Sequence, residues 1–363
     1  MPPSIPAATR AAQQRRQTAM ADLPQRNDIS TIAKPYLIFL GDVSDPLDAK
    51  TGLGIRQWRP QWCAAQYRLP GCAVDLGLPE LSPAAAAAAG AKSLVVGIAP
   101  DGGRLPPHWR GVVLEALDAG LDIVAGLHSR LNADAEFAER ARLRGRRLVD
   151  VRNPPQDFSP GSGAKRSGKR LLTVGTDCAV GKKYTVLALE QALRARGIAA
   201  DYRATGQTGV LIAERGVAID AVISDFVSGA AEWLSPANDA AHWDLVEGQG
   251  SLFHPSYAAV TLGLIHGSQP DAMVLCHEAG RATIGNFPDY PIPAWKDAIA
   301  TYEAAARLTN RAARVVGISI NTASLPEAEA RAVIAAAAAE TGLPCIDPLR
   351  FGCDAIADVL ERL

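Results

Sequence analysis

The sequence predicts an α/β protein made of two doubly wound domains, each built on a mostly parallel sheet. The chain has 363 residues, which is more than one ordinary hydrophobic core holds. Short apolar runs alternate with helix-length stretches in both halves, a rhythm typical of buried parallel strands joined by crossover helices. A polar stretch over residues 153–168, rich in Gly, Pro and Ser and without an apolar period, separates the two halves.

The domain boundaries follow from this stretch. We predict a first domain over residues 31–152, a linker over 153–168 and a second domain over 169–363. Residues 1–30 contain four arginines, but no apolar segment follows them, as a secretory or twin-arginine signal would require. We interpret residues 1–30 as a disordered N-terminal tail, or as residues that precede a true start at Met20.

The predicted strands mark where ligands should bind. In doubly wound sheets, ligands lie outside the carboxyl ends of the strands, so the residues just after each apolar run are the candidates. The runs of the first domain are 36–40, 93–98, 121–125 and 147–151. Those of the second domain are 170–174, 199–204, 218–224, 244–247, 272–277, 313–320 and 344–347.

Composition and charge exclude several classes of partner. The formal net charge is -1, so the chain has no summed positive field to attract nucleic acid or an anionic membrane. Its six cysteines form no CxxC pair and no cluster with metal-ligand spacing, and no apolar stretch approaches the roughly eighteen residues of a membrane span. We expect a soluble cytoplasmic enzyme that acts on a small molecule and holds no metal.

The strongest motif is a phosphate-binding loop. An apolar strand runs into a glycine-rich turn that ends in Gly-Lys and opens a helix. Glycine lets successive backbone N–H groups surround an anion, while the helix N-terminus and a lysine add positive charge. The predicted contacts are Gly175, Thr176, Asp177, Cys178, Ala179, Val180, Gly181, Lys182, Lys183, Tyr184 and Thr185.

This loop differs from the common G-x-x-x-x-G-K-[ST] pattern. Five residues separate Gly175 from Gly181, and Lys183 stands where a Ser or Thr would bind magnesium. Thr185 comes two positions too late. A second lysine in place of the magnesium-binding hydroxyl favours holding a phosphate by direct charge over splitting a metal-bound nucleotide.

Two families resemble this loop. Gly-Thr-Asp-x-x-Val-Gly-Lys is similar to dethiobiotin synthetase, whose Val-Glu-Gly motif resembles Val246–Gly248. The closer resemblance, over Gly175–Lys182 and from about residue 35 to the C-terminus, is to the D-glutamate N-acetyltransferase family, formerly a domain of unknown function. It implies a Rossmann-like N-terminal domain, a P-loop domain, acetyl-CoA as co-substrate and an acidic D-amino acid as acceptor. The phosphates of coenzyme A suit a lysine-rich loop, and Asn321, after the strand 313–320, is our candidate for its adenine.

Three residues at strand ends are catalytic candidates. Glu247 and His254 follow one predicted strand of the second domain, and Asp42 follows the opening strand of the first. Acetyl transfer needs the acceptor amine deprotonated, which Glu247 or His254 could do. Glu247 could equally cap a loop, and His254 could be structural. We predict direct transfer rather than an acyl-enzyme on Cys178.

The predicted substrate contacts carry charge or hydrogen-bond donors at other strand ends. Arg281 is the preferred carboxylate clamp because a guanidinium binds a carboxylate through two bonds, although a salt bridge would also explain it. The full set is Lys50, Arg56, Arg203, Gln207, Gln249, Ser251 and Arg281.

The alternatives to an acetyltransferase are an ATP-dependent ligase of the dethiobiotin synthetase type and a non-catalytic nucleotide-binding protein. Alanine-rich segments such as 332–340 favour a homo-oligomer.

Overall fold

A five-stranded parallel sheet forms the centre of the first domain. The computed structural model describes residues 32–46 and 48–363. The strands lie in the order β2-β1-β3-β4-β5. They are β1 (Tyr36–Gly41), β2 (Cys63–Arg68), β3 (Ser93–Val96), β4 (Asp122–Ala125) and β5 (Leu148–Asp150). The helices of this domain are α1 (Lys50–Trp58), α2 (Pro83–Ala88), α3 (Arg110–Asp118) and α4 (Ala135–Arg144).

A six-stranded parallel sheet forms the centre of the second domain, in the order β13-β12-β9-β6-β8-β7. Its strands are β6 (Lys169–Gly175), β7 (Ala200–Arg203), β8 (Trp243–Val246), β9 (Ala272–Glu278), β12 (Arg314–Asn321) and β13 (Cys345–Ile346). An antiparallel hairpin, β10 (Thr283–Ile284) and β11 (Phe287–Pro291), follows β9. The central strand β6 is buried along nearly its whole length, so it can aim the loop that follows it.

Seven helices complete the second domain. They are α5 (Lys182–Ala195), α6 (Gln207–Ala213), α7 (Val227–Leu234), α8 (Ala258–Ser268), α9 (Trp295–Arg307), α10 (Glu327–Thr341) and α11 (Asp354–Arg362). None of the helices in the part of the chain that the structure describes is long and apolar enough to cross a membrane. The alanine-rich α10 buries Ala330 and Ala337, and the homo-oligomer stays a prediction.

The predicted fold class is confirmed, and three of the local interpretations need correction. The strand β2 was missed, because its residues are mostly half-buried and show no apolar run. The hairpin β10–β11 was also missed. The segment 218–224 is not a strand. It contains the short 3-10 turn Ile219–Ala221 and ends where a second one, Ser224–Phe226, begins. Its apolar residues do not share one environment, since Ile219 is fully buried whereas Ile223 is 68% exposed. The predicted tail over residues 1–30 lies outside the described residues.

The two domains pack directly on one another. One buried core cluster runs through both, and α1 of the first domain lies against α6 of the second. The hydroxyls of Thr51 and Thr208 share a hydrogen bond of 2.9 Å across this contact. The rings of Trp58 and Tyr184 stack with their centroids 6.4 Å apart. The phosphate loop and the first domain therefore border the same space.

Gly54 permits this close packing of α1 on the second domain. A Cβ at this position would lie 2.8 Å from the Cγ2 of Thr208 and 3.1 Å from the Nζ of Lys183. Distances this short force a neighbour to move, since well-packed interiors have no spare volume. The first domain thus reaches the second lysine of the phosphate loop only because residue 54 lacks a side chain.

We expect Gly54→Ala to separate α1 from α6 and to lower stability by about 1–3 kcal/mol, the usual cost of overpacking. The thermal unfolding midpoint would measure the effect. The matched control is Gly111→Ala in α3, where a Cβ meets nothing within 4 Å. Alanine there should leave the midpoint unchanged or raise it slightly. An unfolding midpoint for Gly54→Ala equal to that of the unmodified chain would contradict the packing argument.

Candidate active site

A cleft of about 320 Å³ lies between the two domains at the carboxyl ends of β6, β7 and β8. This is the edge of the sheet at which doubly wound proteins bind their ligands. The first domain contributes Lys50 and Arg152. The residues from the second domain are Cys178, Ala179, Gly181, Lys182, Lys183, Tyr184, Gly206, Gln207, Thr208, Asp220, Glu247, Gly248, Gln249 and Gly250.

The phosphate loop connects the central strand β6 to α5. The backbone of Ala179 and Gly181 has positive φ, 56° and 102°, which turns the chain sharply before α5 begins at Lys182. No side chain caps this helix. Its first N–H groups therefore lack a side-chain acceptor, and a bound anion could supply one.

Lys182 lies inside the loop. Its Nζ donates a hydrogen bond of 2.7 Å to the carbonyl oxygen of Asp177, and its side chain is almost fully buried. Burial lowers the pKa of the Lys182 ammonium, because the charged form is poorly solvated. A phosphate in the loop would provide the negative charge that this lysine lacks.

The Asp177 carboxylate anchors the loop from below. It is fully buried, and its Oδ1 accepts from the Cys178 N–H at 2.6 Å. Its Oδ2 accepts from the Gly285 N–H at 2.8 Å and from Arg281 Nη1 at 2.7 Å. Asp177 therefore shapes the loop and ties it to the β10–β11 hairpin, and its side chain offers nothing to a ligand.

Arg281 is not free to clamp a substrate carboxylate, which contradicts that hypothesis. Its Nη1 binds Asp177 and also donates to the carbonyl oxygen of Cys178 at 2.8 Å, while its Nη2 pairs with Glu278. All these partners belong to the protein. A guanidinium held between two carboxylates and a carbonyl stabilises the loop instead of binding a second acid.

Several other loop side chains also face the core. The hydroxyl of Thr176 bonds to Nδ1 of His277 at 2.9 Å, and that of Thr185 bonds to Ser319 at 2.8 Å. Val180 is buried as well. Gly175 ends β6 beneath the loop, and its N–H and carbonyl are the only groups it can offer. At these positions only the backbone remains for the predicted ligand contacts.

Glu247 and Lys183 form an opposite-charge pair at the cleft. Glu247 Oε2 accepts from the Tyr202 hydroxyl at 2.8 Å and from the N–H groups of Thr205 and Gly206 at 3.0 and 3.2 Å. All three donors go to Oε2, and Oε1 accepts no hydrogen bond among the described residues. The next residue, Gly248, passes so close to β6 that a Cβ there would lie 1.7 Å from the Thr173 carbonyl oxygen.

Burial sets the pKa values of this pair. It raises the pKa of Glu247 and lowers that of Lys183 to about 8, although the attraction between the two charges acts in the opposite direction on each. Loss of solvation is the larger effect for both groups. Their proton affinities therefore lie closer together than those of an exposed pair, a property common at catalytic sites.

Four other predicted residues lie in or beside the cleft. Gln249 Nε2 donates to the Thr205 hydroxyl at 3.2 Å, and Lys50 begins α1 with an exposed side chain. The Oε1 of Gln207 is buried and has no hydrogen-bond partner among the described residues. Asn321 ends β12 close to Gly181, where its Oδ1 accepts from the Ala323 N–H at 3.1 Å, and it does not line the cleft.

The hydrogen bonding of His254 makes its ring a hydrogen-bond donor at Nε2 rather than a base for the acceptor amine. Its Nδ1 accepts from the Ser256 N–H at 3.1 Å, so the neutral ring carries its proton on Nε2. The ring is enclosed by Tyr257 and Phe287, with centroids 4.5 and 5.2 Å away, and burial lowers its pKa. This geometry contradicts the hypothesis that His254 deprotonates the amine.

His254 also belongs to one cluster of possible metal ligands. Among the described residues, Asp177, Cys178 and His254 bring ligand atoms within 4.8 Å of one another. The charge of Asp177 is already matched by Arg281 at 2.7 Å. That pairing leaves too little negative charge for a cation, and the expected absence of a metal stays a prediction.

Four predicted residues lie away from the cleft and are bound elsewhere, which contradicts their assigned roles. Asp42 accepts from Trp109 Nε1 at 2.9 Å and contacts His108 Nε2 at 3.0 Å. Arg56 donates to the Leu76 carbonyl at 3.3 Å, and Arg203 pairs with the buried Asp244 at 2.6 Å. Ser251 is fully buried, with its Oγ accepting from the Phe253 N–H at 3.2 Å.

Sequence reasoning missed two charged residues of the cleft, Arg152 and Asp220. Arg152 comes two residues after β5 ends, so the rule that ligands bind after strand ends could have identified it. Asp220 lies within the segment that was interpreted as a strand, and no sequence signal marks it. The two side chains pair with each other across the domain boundary.

We expect Arg281→Gln to lower stability by about 3–5 kcal/mol, because it leaves the carboxylate of Asp177 buried without its counter-charge. Thermal unfolding would measure the loss. The matched control is Arg142→Gln, which breaks the exposed pair with Glu139. That change should leave the unfolding midpoint nearly unchanged, because exposed ion pairs are screened by solvent. Equal effects of the two substitutions would contradict the anchoring role of Asp177.

Comparison with known proteins identifies both domains. The family model described as domain of unknown function DUF1611_C, a P-loop domain, matches residues 158–357. The model described as DUF1611_N, a Rossmann-like domain, matches residues 67–154. The crystal structure of a DUF1611 family protein from Anabaena variabilis is similar with a TM-score of 0.83 and 37% identity, covering 91% of this chain and 100% of that one. The predicted Rossmann-like and P-loop domains are thus confirmed.

Two relatives carry a functional name. A D-glutamate N-acetyltransferase from Tritonibacter scottomollicae is 48% identical over 332 residues, covering 92% of this chain and 100% of the relative. Another, from a Pseudoalteromonas species, is 46% identical over 325 residues, covering 90% and 98%. The match spans the phosphate loop, the Glu247–Lys183 pair and both sides of the cleft. The chain therefore belongs to the D-glutamate N-acetyltransferase family, built from a DUF1611 Rossmann-like domain and a DUF1611 P-loop domain.

Proposed function

We propose that this protein transfers the acetyl group of acetyl-CoA to the α-amine of an acidic D-amino acid, with D-glutamate as its substrate. The observation that carries the proposal is that the phosphate loop, the buried Glu247 and the half-buried Lys183 line the same cleft. A carrier anchored by its phosphates at the loop can reach a proton acceptor there. The names of the two relatives supply the reaction and the acceptor.

The phosphate loop would hold coenzyme A. Lys182 is aimed into the loop, and the N-terminus of α5 has no side-chain cap, so a pyrophosphate would gain both a charge partner and backbone donors. Tyr184 lines the cleft beside the same helix start and offers a flat aromatic surface. Anchoring the carrier fixes where its thioester lies and makes transfer effectively intramolecular.

Glu247 would accept the proton of the acceptor ammonium. Its Oε1 is the carboxylate oxygen not occupied by Tyr202, Thr205 and Gly206, and the ammonium of Lys183 favours the ionised carboxylate against the effect of burial, which raises the pKa of Glu247. The freed amine nitrogen then attacks the thioester carbonyl carbon. The new C–N bond forms, the C–S bond breaks, and the nitrogen gives its second proton to the leaving sulfur, which becomes the free thiol of coenzyme A. The proton on Glu247 passes to solvent.

An acyl-enzyme on Cys178 has little support from the geometry. Burial raises the pKa of the Cys178 thiol, so the reactive thiolate is disfavoured. The nearby His254 cannot take the thiol proton, because its Nδ1 accepts from Ser256 and its Nε2 carries the ring proton. Direct transfer needs neither group.

The six cysteines are all free, which suits a reducing compartment, and we place the reaction in the cytoplasm.

Thiol release without ATP or magnesium tests the proposal. We expect incubation with acetyl-CoA and D-glutamate to yield free thiol and N-acetylglutamate in equal amounts, measured with a thiol-reactive dye and by mass spectrometry. Absence of thiol above background with every D- and L-acidic amino acid would refute an acetyltransferase. ADP release that requires ATP and magnesium would instead support a ligase.

A variant pair checks that the loop binds the carrier. Lys182→Met should raise the KM for acetyl-CoA by about 10- to 150-fold, since a hydrogen bond to a charged group contributes about 1.5–3 kcal/mol. The matched control is Lys165→Met, because Lys165 is an exposed lysine of the interdomain segment. Equal KM values for the two variants would contradict phosphate binding by Lys182.

We expect kcat to have a bell-shaped pH dependence. On the acid side, kcat should fall as the pH drops through the raised pKa of Glu247, because a protonated carboxyl cannot accept the amine proton. On the alkaline side, it should fall above about 8, where Lys183 loses its charge and Glu247 loses its counter-charge. Lys183→Arg keeps the charge and should move the alkaline limb to higher pH. An alkaline limb that stays near pH 8 in this variant would contradict the assignment.

A further inference from the structure

Arg152 lies where the two domains meet at the cleft, and its guanidinium is held in one orientation. Its Nε donates to the carbonyl oxygen of Gly126 at 2.6 Å, and its Nη1 pairs with Asp220 of the other domain. Only 16% of the side chain is exposed. In the described structure Nη2 makes no hydrogen bond, so one nitrogen of the rigid fork remains for a ligand.

Gln207 lines the same cleft and offers it an amide donor. Its side chain is 6% exposed, and its Oε1 packs against Gly126, where a Cβ would lie only 2.1 Å from that oxygen. The NH2 end of the amide therefore points away from Gly126. This NH2 group is the end that can donate to a carboxylate, because the amide oxygen and the carboxylate are both acceptors.

The charges of the cleft assign Arg152 to the acceptor. An acidic amino acid brings two carboxylates and one ammonium. Lys182 donates inside the phosphate loop, and Lys183 interacts electrostatically with Glu247, so we assign the acceptor carboxylates to the other two cations of the cleft, Lys50 and Arg152. The guanidinium of Arg152 suits a carboxylate better than the ammonium of Lys50, because it is already held in place and loses less rotamer freedom when Nη2 donates.

The position of Arg152 suits the side-chain carboxylate. Glu247 binds the backbone of Gly206 at 3.2 Å, and the Gln207 side chain extends from the next residue to Gly126, where Arg152 donates. Glu247 and Arg152 thus line the same cleft with the Gln207 side chain between them, so an acceptor whose amine lies at Glu247 can extend toward Arg152.

We propose that Arg152 and the Gln207 amide bind the side-chain carboxylate of the acceptor, so that Arg152 selects an acidic over a neutral side chain. This inference rests on the proposed function. The other explanation is purely structural, since the Arg152–Asp220 pair joins the two domains. The two explanations differ in which side chain of the pair matters to the substrate.

The test compares Arg152→Gln with the unmodified protein, using D-glutamate and D-glutamine as acceptors. We expect the KM for D-glutamate to rise about 10- to 150-fold with kcat within a few fold, because charged hydrogen bonds to a ligand are lost. D-glutamine should be used as well as before, so the preference for the acid should fall by a similar factor. Equal losses with both acceptors would overturn the proposal.

Asp220→Asn is the matched control. It cuts the same interdomain ion pair, but the asparagine oxygen can still accept from Nη1 and the guanidinium stays charged. The KM for D-glutamate should then be unchanged or lower. If this variant raised the KM for D-glutamate as much as Arg152→Gln does, the ion pair would be structural and the proposal wrong. Arg152→Lys, which keeps the charge without the fork, serves if the glutamine variant fails to fold and should give an intermediate KM.

The unmodified protein separates this inference from the proposed function. If it releases no thiol with any acidic acceptor, the acetyltransferase itself is refuted. If it acetylates D-glutamate but Arg152→Gln keeps the same acceptor preference, only the role of Arg152 is refuted.

Discussion

The buried carboxylate of Asp177 is the interaction on which the rest of the site depends. Its two oxygens hold the N–H of Cys178, the N–H of Gly285 and the guanidinium of Arg281. Because an unpaired buried charge is costly, these bonds hold the phosphate loop in one shape against the β10–β11 hairpin. That shape in turn aims Lys182 inward and starts α5 at the cleft. A loop formed in advance of ligand binding pays less entropy when the ligand arrives.

The second feature of the site is the competition between solvation and charge at Glu247 and Lys183. Each charge favours the ionised form of the other group, yet burial raises the pKa of Glu247 and lowers that of Lys183. The usual P-loop hydroxyl would bind a metal at this position, whereas a lysine supports a carboxylate that can exchange a proton. Lys183 in place of the usual hydroxyl would thus change the chemistry open to Glu247 at the end of β8.

The first domain contributes more than a support for the second. Its helix α1 approaches Lys183 through Gly54, and the segment that follows β5 brings Arg152 to the cleft. The donor would bind wholly in the second domain, whereas the acceptor would bind where both domains meet. Any change in how the domains pack should therefore affect the acceptor before the donor.

The sequence by itself determined the parallel α/β fold, the phosphate loop and Glu247 at a strand end, because these depend on residues that are close along the chain. It also contained the family resemblance that the comparisons confirm. Only the tertiary structure decided which charged side chains pair with one another. Arg281 meets Asp177 across 104 residues, and Arg152 meets Asp220 across 68. Whether an arginine binds a substrate or another part of the protein depends on which carboxylate the fold brings to it, and no local pattern encodes that choice.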